Sequence, residues 1–461
     1  MKKRLYGPGL IVVLVSTGLL VGCGGHRETL SGSQRDATVE FTIHWPTSRA
    51  IPAETQKINV WVSGPGIPGL IWKSFSRPTS PQKGGTALIT VPAGPQRLFG
   101  AAAFDKTNRC IAFGNANADL SPGEHKTLTI EMQPTPTTPE TTGTEIKNPE
   151  DVGWQYGIQV IPDPDNPLQA MCVLTLGGNG TRGLTRDRFI IGQIVTSGVV
   201  ASVSPSHFAG GETGPRKIDI AFVLDTTGSM GSEIAGVRDS VIQFVSILAS
   251  LGHDIRLAAV EFGDEIRSVK GFTSDAVDFR SYVADLRAYG GGDDPEIGLD
   301  AVLFAHENLS WRSEAEKFII VITDATAHQR GDGTLFSSVI AQEVINTLRG
   351  KYTVHVVSSR DPNRSRSYQA GSPTDSYNAH SRGETQPYDM KNLAPALGGI
   401  WIELPSSGGV SLTDLGIAEA ILNTYRFKFP RALWFNESHL SNVKVYVKKD
   451  ENIWIRFGLG L

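Results

Sequence analysis

Apolar positions along the chain change period three times, and each change marks a different kind of structure. Val39, Phe41, Ile43 and Trp45 alternate with polar residues, and similar runs follow at Lys57 to Val62, Thr86 to Val91, Leu98 to Phe104 and Lys126 to Met132. Alternation of period two bounded by Gly and Pro clusters, such as Gly64-Pro65-Gly66, predicts half-buried strands. Residues 37–133 therefore read as a small all-β domain, a sandwich. The following Pro134-Thr135-Pro136-Thr137-Thr138-Pro139 has no apolar face and favours extended polyproline backbone, so 134–149 reads as a semi-rigid linker.

Between residues 213 and 425 the pattern switches to strands alternating with helices. Ile218 to Leu224 is a nearly continuous apolar run, expected of a strand covered on both faces. Ile234, Val237, Val241, Phe244, Val245 and Leu248 then fall on one helical stripe. Strands are predicted at Ile255 to Phe262, Phe318 to Ile322, Thr353 to Val357 and Ile400 to Leu404. Helices are predicted at Phe279 to Ala288, Glu296 to Asn308, Ser337 to Leu348 and Leu412 to Leu422. Such alternation argues for a doubly wound, mostly parallel sheet, whose ligands bind beyond the carboxyl ends of the strands. The flanks, 150–212 and 426–461, again read as strands, notably Cys172 to Leu176, Phe189 to Ile191, Val443 to Val447 and Ile453 to Phe457. Neither flank holds enough strands for an independent sheet, so the two are expected to pair into one β-module interrupted by the α/β domain.

Composition narrows the function. With 461 residues, 40% hydrophobic and 20% charged, the chain is globular, and its formal net charge of −4 shows no basic excess to track a phosphate backbone. Nucleic acid is excluded as an expected partner. Lys2, Lys3 and Arg4 precede an apolar stretch from Leu10 to Val21 that is too short to span a bilayer, which predicts an export signal over residues 1–22. The stretch ends in Leu20-Val21-Gly22-Cys23, which resembles the lipobox of bacterial lipoproteins. That resemblance implies Cys23 as a lipidated N-terminus, a polar tether over 23–36, and a membrane-anchored protein of the outer membrane or cell surface. Cys110 and Cys172 are the remaining cysteines, either bridged in an oxidising compartment or kept as buried thiols.

At the carboxyl end of the first α/β strand stands Asp225-Thr226-Thr227-Gly228-Ser229. Alternate positions on an extended loop point the same way, so one carboxylate and two hydroxyls can converge on a hard cation, with Gly228 and Gly231 expected to permit a tight turn. The plainer reading is a strand-to-helix turn in which Asp and Ser cap the helix, Ser232 included. Two further acidic loops favour the metal: Gly290-Gly291-Gly292-Asp293-Asp294-Pro295-Glu296, and Thr323-Asp324 after the strand Phe318 to Ile322. Together these residues resemble the metal-ion-dependent adhesion site of von Willebrand factor A domains, over about Arg216 to Tyr425. Asn392-Leu393-Ala394 with Gly398-Gly399, and Gly183-Leu184-Thr185 with Phe189, resemble further elements seen in or before such domains.

The resemblance implies a Rossmann-like A domain with Thr227 and Ser229 as direct ligands, and Asp225 and Asp324 acting directly or through water. In the second loop this chain has Asp293 and Glu296 where many A domains have Thr. The spacing is similar to that of integrin β subunits, and both residues stand as candidate ligands. The implied ion is Mg2+ or Mn2+, with Ca2+ as an alternative. The implied activity is binding of a protein or matrix ligand that offers a carboxylate, as in adhesion. The alternative is a structural or assembly subunit docking onto an envelope complex or a partner enzyme. No nucleophile elbow, H-E-x-x-H or phosphate loop is present, so no enzyme activity is expected. Arg330-Gly331-Asp332 spells a tripeptide that integrins recognise, but this is also ordinary loop composition.

Overall fold

A computed structural model describes residues 36–44, 54–67, 71–76, 87–107, 110–135, 144–163, 169–196, 199–210, 215–250, 252–291, 295–358, 387–404, 416–430 and 443–458. Residues 1–35, which hold the expected signal, Cys23 and all but the last residue of the tether, together with Asp293 and residues 359–386, lie outside these residues. Among the described residues no helix is long and apolar enough to cross a membrane.

The N-terminal strands are β1 (Asp36–His44), β2 (Lys57–Ser63), β3 (Ile71–Ser76), β4 (Ala87–Pro92), β5 (Gly94–Phe104), β6 (Cys110–Leu120), β7 (His125–Glu131) and β8 (Gln133–Pro134). They form two sheets, ordered β4-β1-β7 and β3-β2-β5-β6-β8. Alternate residues of the strands, among them Val39, Val60, Ile89, Phe99 and Ile130, meet in one core between the sheets, as period-two patterning requires. Arg97 is buried at this domain's edge, where its guanidinium donates to the backbone carbonyls of Pro65, Pro92 and Ala93.

The chain continues through β9 (Glu145–Lys147), β10 (Gln155–Pro162), β11 (Gln169–Gly177), β12 (Phe189–Thr196), β13 (Val199–Val203) and β14 (Ser206–Ala209). It then enters the α/β domain through β15 (Lys217–Asp225), β16 (Asp254–Phe262), β17 (Ile266–Thr273), β18 (Glu316–Thr323), β19 (Thr353–Ser358) and β20 (Trp401–Glu403). These form one six-stranded sheet of order β17-β16-β15-β18-β19-β20. All neighbours run parallel except β16 and β17. Ile218, Ile220, Phe222 and Leu224 of β15 face one core and Ala221 and Val223 the other, so both faces of the strand are buried.

Helices α1 (Gly231–Ser250), α2 (Ala276–Ala284) and α6 (Ile417–Leu422) cover the first face. Helices α3 (Gly298–Asn308), α4 (Ala341–Leu348) and α5 (Leu393–Ala396) cover the second. The fold is thus a doubly wound α/β domain accompanied by β-rich modules.

Several elements differ from the sequence expectation: β3 and β6 were not anticipated, helix α2 spans Ala276–Ala284 rather than Phe279 to Ala288, and β17 and α4 differ as well. Strand β17 has a weakly patterned, mostly half-exposed sequence and was not anticipated; it is an edge strand with only one covered neighbour. Helix α4 begins at Ala341 rather than Ser337, because Ser337 and Ser338 bond the carboxylate of Asp300 and hold the preceding segment in a loop.

After α6 the chain leaves through β21 (Thr424–Pro430), β22 (Val443–Lys448) and β23 (Ile453–Gly458). Strand β21 inserts between β11 and β14, and β22 pairs with β12, so the segments before and after the α/β domain share two sheets. Phe189 packs against Tyr425 and Phe427, and the Tyr425 hydroxyl donates to the Thr181 carbonyl at 2.6 Å while accepting from Leu184 N. The module is also knitted to the α/β domain. Gln159 on β10 donates to the carbonyls of Tyr352 and Leu397 and accepts from Gly350 N, and Thr175 donates to the Gly398 carbonyl. Gly157 lies so close to Gly399 that any Cβ there would strike the Gly399 carbonyl. Cys110 and Cys172 are both free and buried in the core shared by the N-terminal domain and the module. Burial pushes both thiols up, Cys110 to about 12.

Candidate metal centre

The site lies where three loops leave the carboxyl ends of β15, β18 and the segment preceding α3. Asp225 is the last residue of β15 and is completely buried. Its Oδ1 accepts from Thr227 N at 2.9 Å and Thr227 Oγ1 at 2.7 Å, and its Oδ2 accepts from Thr323 Oγ1 at 2.7 Å. Thr227 Oγ1 lies 3.2 Å from Ser229 Oγ, and Ser229 donates to Asp324 Oδ1 at 3.1 Å. An unbroken chain of oxygens therefore runs Asp225, Thr227, Ser229, Asp324. It is closed toward the core at Asp225 and open to solvent at Ser229. Thr226, the intervening residue, turns the opposite way and bonds the Phe262 carbonyl through N and Oγ1.

Burial raises the Asp225 carboxyl to about 6, and the nearby Asp324 charge adds to the rise against the hydrogen bonds from Thr227 and Thr323. A buried and a half-buried carboxylate brought together, with hydroxyl oxygens between them, have the electrostatics that a hard cation relieves. Among the described residues no group of three His, Cys, Asp or Glu side chains gathers as a metal cluster. The donor set is two carboxylates and two hydroxyls, which suits Mg2+, Mn2+ or Ca2+ better than a soft ion.

The second loop closes against the first. Gly228 N donates to the Gly290 carbonyl at 2.9 Å and Tyr289 N to the Thr226 carbonyl at 3.0 Å. Gly290 and Gly291 hold φ of 66° and 90°, a region that disfavours side chains, and a Cβ on Gly291 would stand 3.1 Å from Thr227 Cβ and 3.5 Å from Glu296 Oε1. Gly228 and Gly231 do not supply the tight turn expected of them. Neither has positive φ; Gly231 is right-handed helical, and Gly228 matters because a Cβ would approach the Gly290 carbonyl to 3.1 Å. Nor does Ser232 precede the helix as a cap: it lies inside α1 and donates to Glu233.

Glu296 is buried, and its backbone pairs with the third loop, Glu296 N to the Thr326 carbonyl and His328 N to the Glu296 carbonyl. The structure therefore brings Asp225, Thr227, Ser229 and Asp324 together directly and places Glu296 beside Gly291, which covers Thr227. Arg267 and Tyr289 at the rim of the site were not singled out in the sequence, and Thr323, named there only with Asp324 in the third loop, holds the second oxygen of Asp225. The only cue to Thr323 was its place directly before Asp324. The Arg330-Gly331-Asp332 tripeptide is not displayed, because Asp332 is fully buried and binds His328 Nδ1 at 2.6 Å and Thr334.

Acidic and hydroxyl side chains thus gather at the carboxyl edge of a doubly wound sheet. Residues 219–405 match the von Willebrand factor A domain family, and the chain contains such a domain. It is 29% identical over 122 residues to the alpha-protein kinase vwkA of Dictyostelium discoideum, covering 24% of this chain and 19% of that protein. Among solved structures it is similar to the proximal thread matrix protein of the mussel byssus with a zinc-occupied metal-ion-dependent adhesion site. That likeness has 14% identity and a TM-score of 0.33, covering 49% of each chain. It is also similar to the vWF domain of a type V pili tip protein from Porphyromonas gingivalis, with 13% identity and a TM-score of 0.29, covering 45% of this chain and 95% of that one. The chain thus spans about one fifth of the curated relative's length and half of the mussel protein's.

Proposed function

We propose that this protein is a lipid-anchored, cell-surface binding protein whose A domain takes up a divalent cation and uses it to bind an acidic group of a protein or matrix ligand. The observation that carries this reading is the oxygen chain Asp225, Thr227, Ser229, Asp324 at the carboxyl edge of the sheet. Thr227 and Ser229 would hold the ion directly, Asp225 and Asp324 directly or through water, and the acidic second loop with Asp293 and Glu296 would add charge. Mg2+ or Mn2+ fits this donor set, with Ca2+ as an alternative, and a bound ion would supply an electrophilic position for a carboxylate. The chain's own groups hold donors in place rather than move protons or form bonds, which favours binding over catalysis. The lipid anchor rests on the basic cluster, apolar stretch and Cys23 of the N-terminus.

Calorimetric titration of the full chain with Mg2+, Mn2+ and Ca2+ tests the site, with Asp225→Ala and Ser229→Ala alongside. Wild type is expected to bind a divalent ion and both variants to lose it. Wild type that binds none at millimolar metal would overturn the proposal. Mass spectrometry of the protein from membranes tests the anchor: a diacylglyceryl mass on Cys23 is expected, and an unmodified N-terminus elsewhere refutes it.

A further inference from the structure

Arg267 sits on the unanticipated edge strand β17, and its guanidinium reaches back to the metal loops. Nη1 donates to the Thr226 carbonyl at 2.5 Å and the Tyr289 carbonyl at 2.7 Å, with Thr226 Oγ1 at 3.3 Å. The guanidinium also lies over the Tyr289 ring, 4.5 Å from its centroid. Thr226 is the residue between Asp225 and Thr227 that turns away from the site, and Tyr289 directly precedes Gly290 and Gly291. One side chain thus ties the first loop to the second from behind. Two backbone hydrogen bonds, Tyr289 N to Thr226 O and Gly228 N to Gly290 O, run alongside it. Tyr289 itself is more than half exposed, so its ring shields the guanidinium from water on one side only.

We propose that Arg267, seated on Tyr289, is a positioning residue that sets the spacing of the two loops and thereby the ion the site prefers. This rests on the metal reading of the site given above. Small ions such as Mg2+ demand short, near-octahedral coordination at about 2.1 Å, whereas Ca2+ accepts more ligands at about 2.3–2.6 Å in flexible geometry. A clamp that holds Gly291 against Thr227 keeps the pocket tight and favours the smaller ions. Releasing it lets the second loop move outward, which penalises a small ion more than a large one. Both bonds come from one nitrogen, Nη1, held in the plane of a rigid guanidinium that lies on the Tyr289 ring, and Lys, with a freely rotating ammonium, reproduces the charge but not that fixed direction.

The test measures Mn2+ affinity by electron paramagnetic resonance, and Mg2+ and Ca2+ by competition, on the full chain and on Arg267→Gln, Arg267→Lys and Tyr289→Leu. Melting in chelator is recorded for each. Arg267→Gln is expected to lose about ten-fold in Mn2+ and Mg2+ affinity, the scale for residues that orient metal ligands, with a smaller loss for Ca2+. Arg267→Lys should fall between it and wild type, and Tyr289→Leu should shift the preference in the same direction, all with unchanged melting in chelator. Unchanged affinities in Arg267→Gln would overturn the clamp, and so would equal losses for all three ions accompanied by lowered melting. A wild-type protein that binds no Mn2+ would instead refute the metal reading, and the clamp with it.

Discussion

Thr323 donates its hydroxyl to Asp225 Oδ2 across two neighbouring parallel strands, β18 and β15, at 2.7 Å. The hydroxyl also accepts from Ala325 N at 3.0 Å, so one side chain orients the buried carboxylate and shapes the turn that carries Asp324. Thr323→Val keeps the shape and removes both bonds. It is expected to cost about 1–3 kcal/mol in denaturant unfolding with chelator present, the range for leaving a buried polar partner unsatisfied. Divalent-ion affinity measured by calorimetry should fall as well. An unchanged unfolding midpoint would mean that the bond contributes nothing net.

The raised Asp225 pKa fixes a pH dependence. Its folded value of about 6 lies above the ordinary aspartate value of 3.8, so the folded state favours the proton. This group's contribution to stability is fully present below the unfolded value and is lost as pH rises through about 6. In chelator, Asp225→Asn should therefore gain stability relative to wild type between pH 4 and pH 7 in thermal melts. Protons compete with the ion over the same window, so wild-type metal affinity should fall below about pH 6. A flat difference between the two proteins from pH 4 to 7 would refute the assignment.

Glu316 joins the α/β domain to its neighbours. It accepts from Arg216 Nε at 2.6 Å and Arg426 Nε at 3.1 Å, and Arg216 also donates to the carbonyls of Ile421 and Leu422 that end α6. Burial pushes the Glu316 carboxyl up, but the hydrogen bonds and charges of the two arginines outweigh it and hold the value below the ordinary range. The stability it contributes is present above about pH 4.5, the ordinary glutamate value, and is lost as pH falls through the lower folded value. Glu316→Ala leaves two guanidinium groups facing each other and should cost about 3–5 kcal/mol at neutral pH by chemical denaturation, with the loss shrinking in acid.

Gly157 and Gly399 let β10 cross the loop before β20 at backbone contact. Gly157→Ala would push the module off the α/β domain and strain the Gln159 bonds beside it. A loss of about 1–3 kcal/mol is expected, as for overpacking elsewhere in cores. Limited proteolysis should show whether the module boundary opens, and an unaltered digestion pattern would count against a tight junction.

The doubly wound α/β domain was legible because its signals are local. Ile218 to Leu224 can only be a strand buried on both faces, and the stripe from Ile234 to Phe244 only a helix that packs on it. The residues that converge on the site were legible for a related reason: Asp225, Thr227 and Ser229 alternate on one extended segment, and Asp324 follows an apolar run that ends at the same edge of the sheet. The shortage of strands in each flank already implied that 150–212 and 426–461 would pair, but which strand meets which was decided in three dimensions. Nothing local says that β11 joins β21 or β12 joins β22, since register depends on which faces become buried together. The weakly patterned β17 was invisible for the same reason, an edge strand having only one covered neighbour, and with it went Arg267.

Backbone conformation was likewise beyond the reach of residue type. Gly228 and Gly290 are equally glycine in the sequence, yet one is needed for close approach and the other for positive φ. The tripeptide Arg330-Gly331-Asp332 reads as ordinary loop composition, and burial against His328 removes its aspartate from solvent. Sequence alone determined the strongly patterned elements and the chemistry of the donors, because periodicity and side-chain type are local properties. Tertiary structure alone decided which oxygens meet, which loops hold them and how the modules lock together, because those depend on contacts between residues up to a few hundred positions apart.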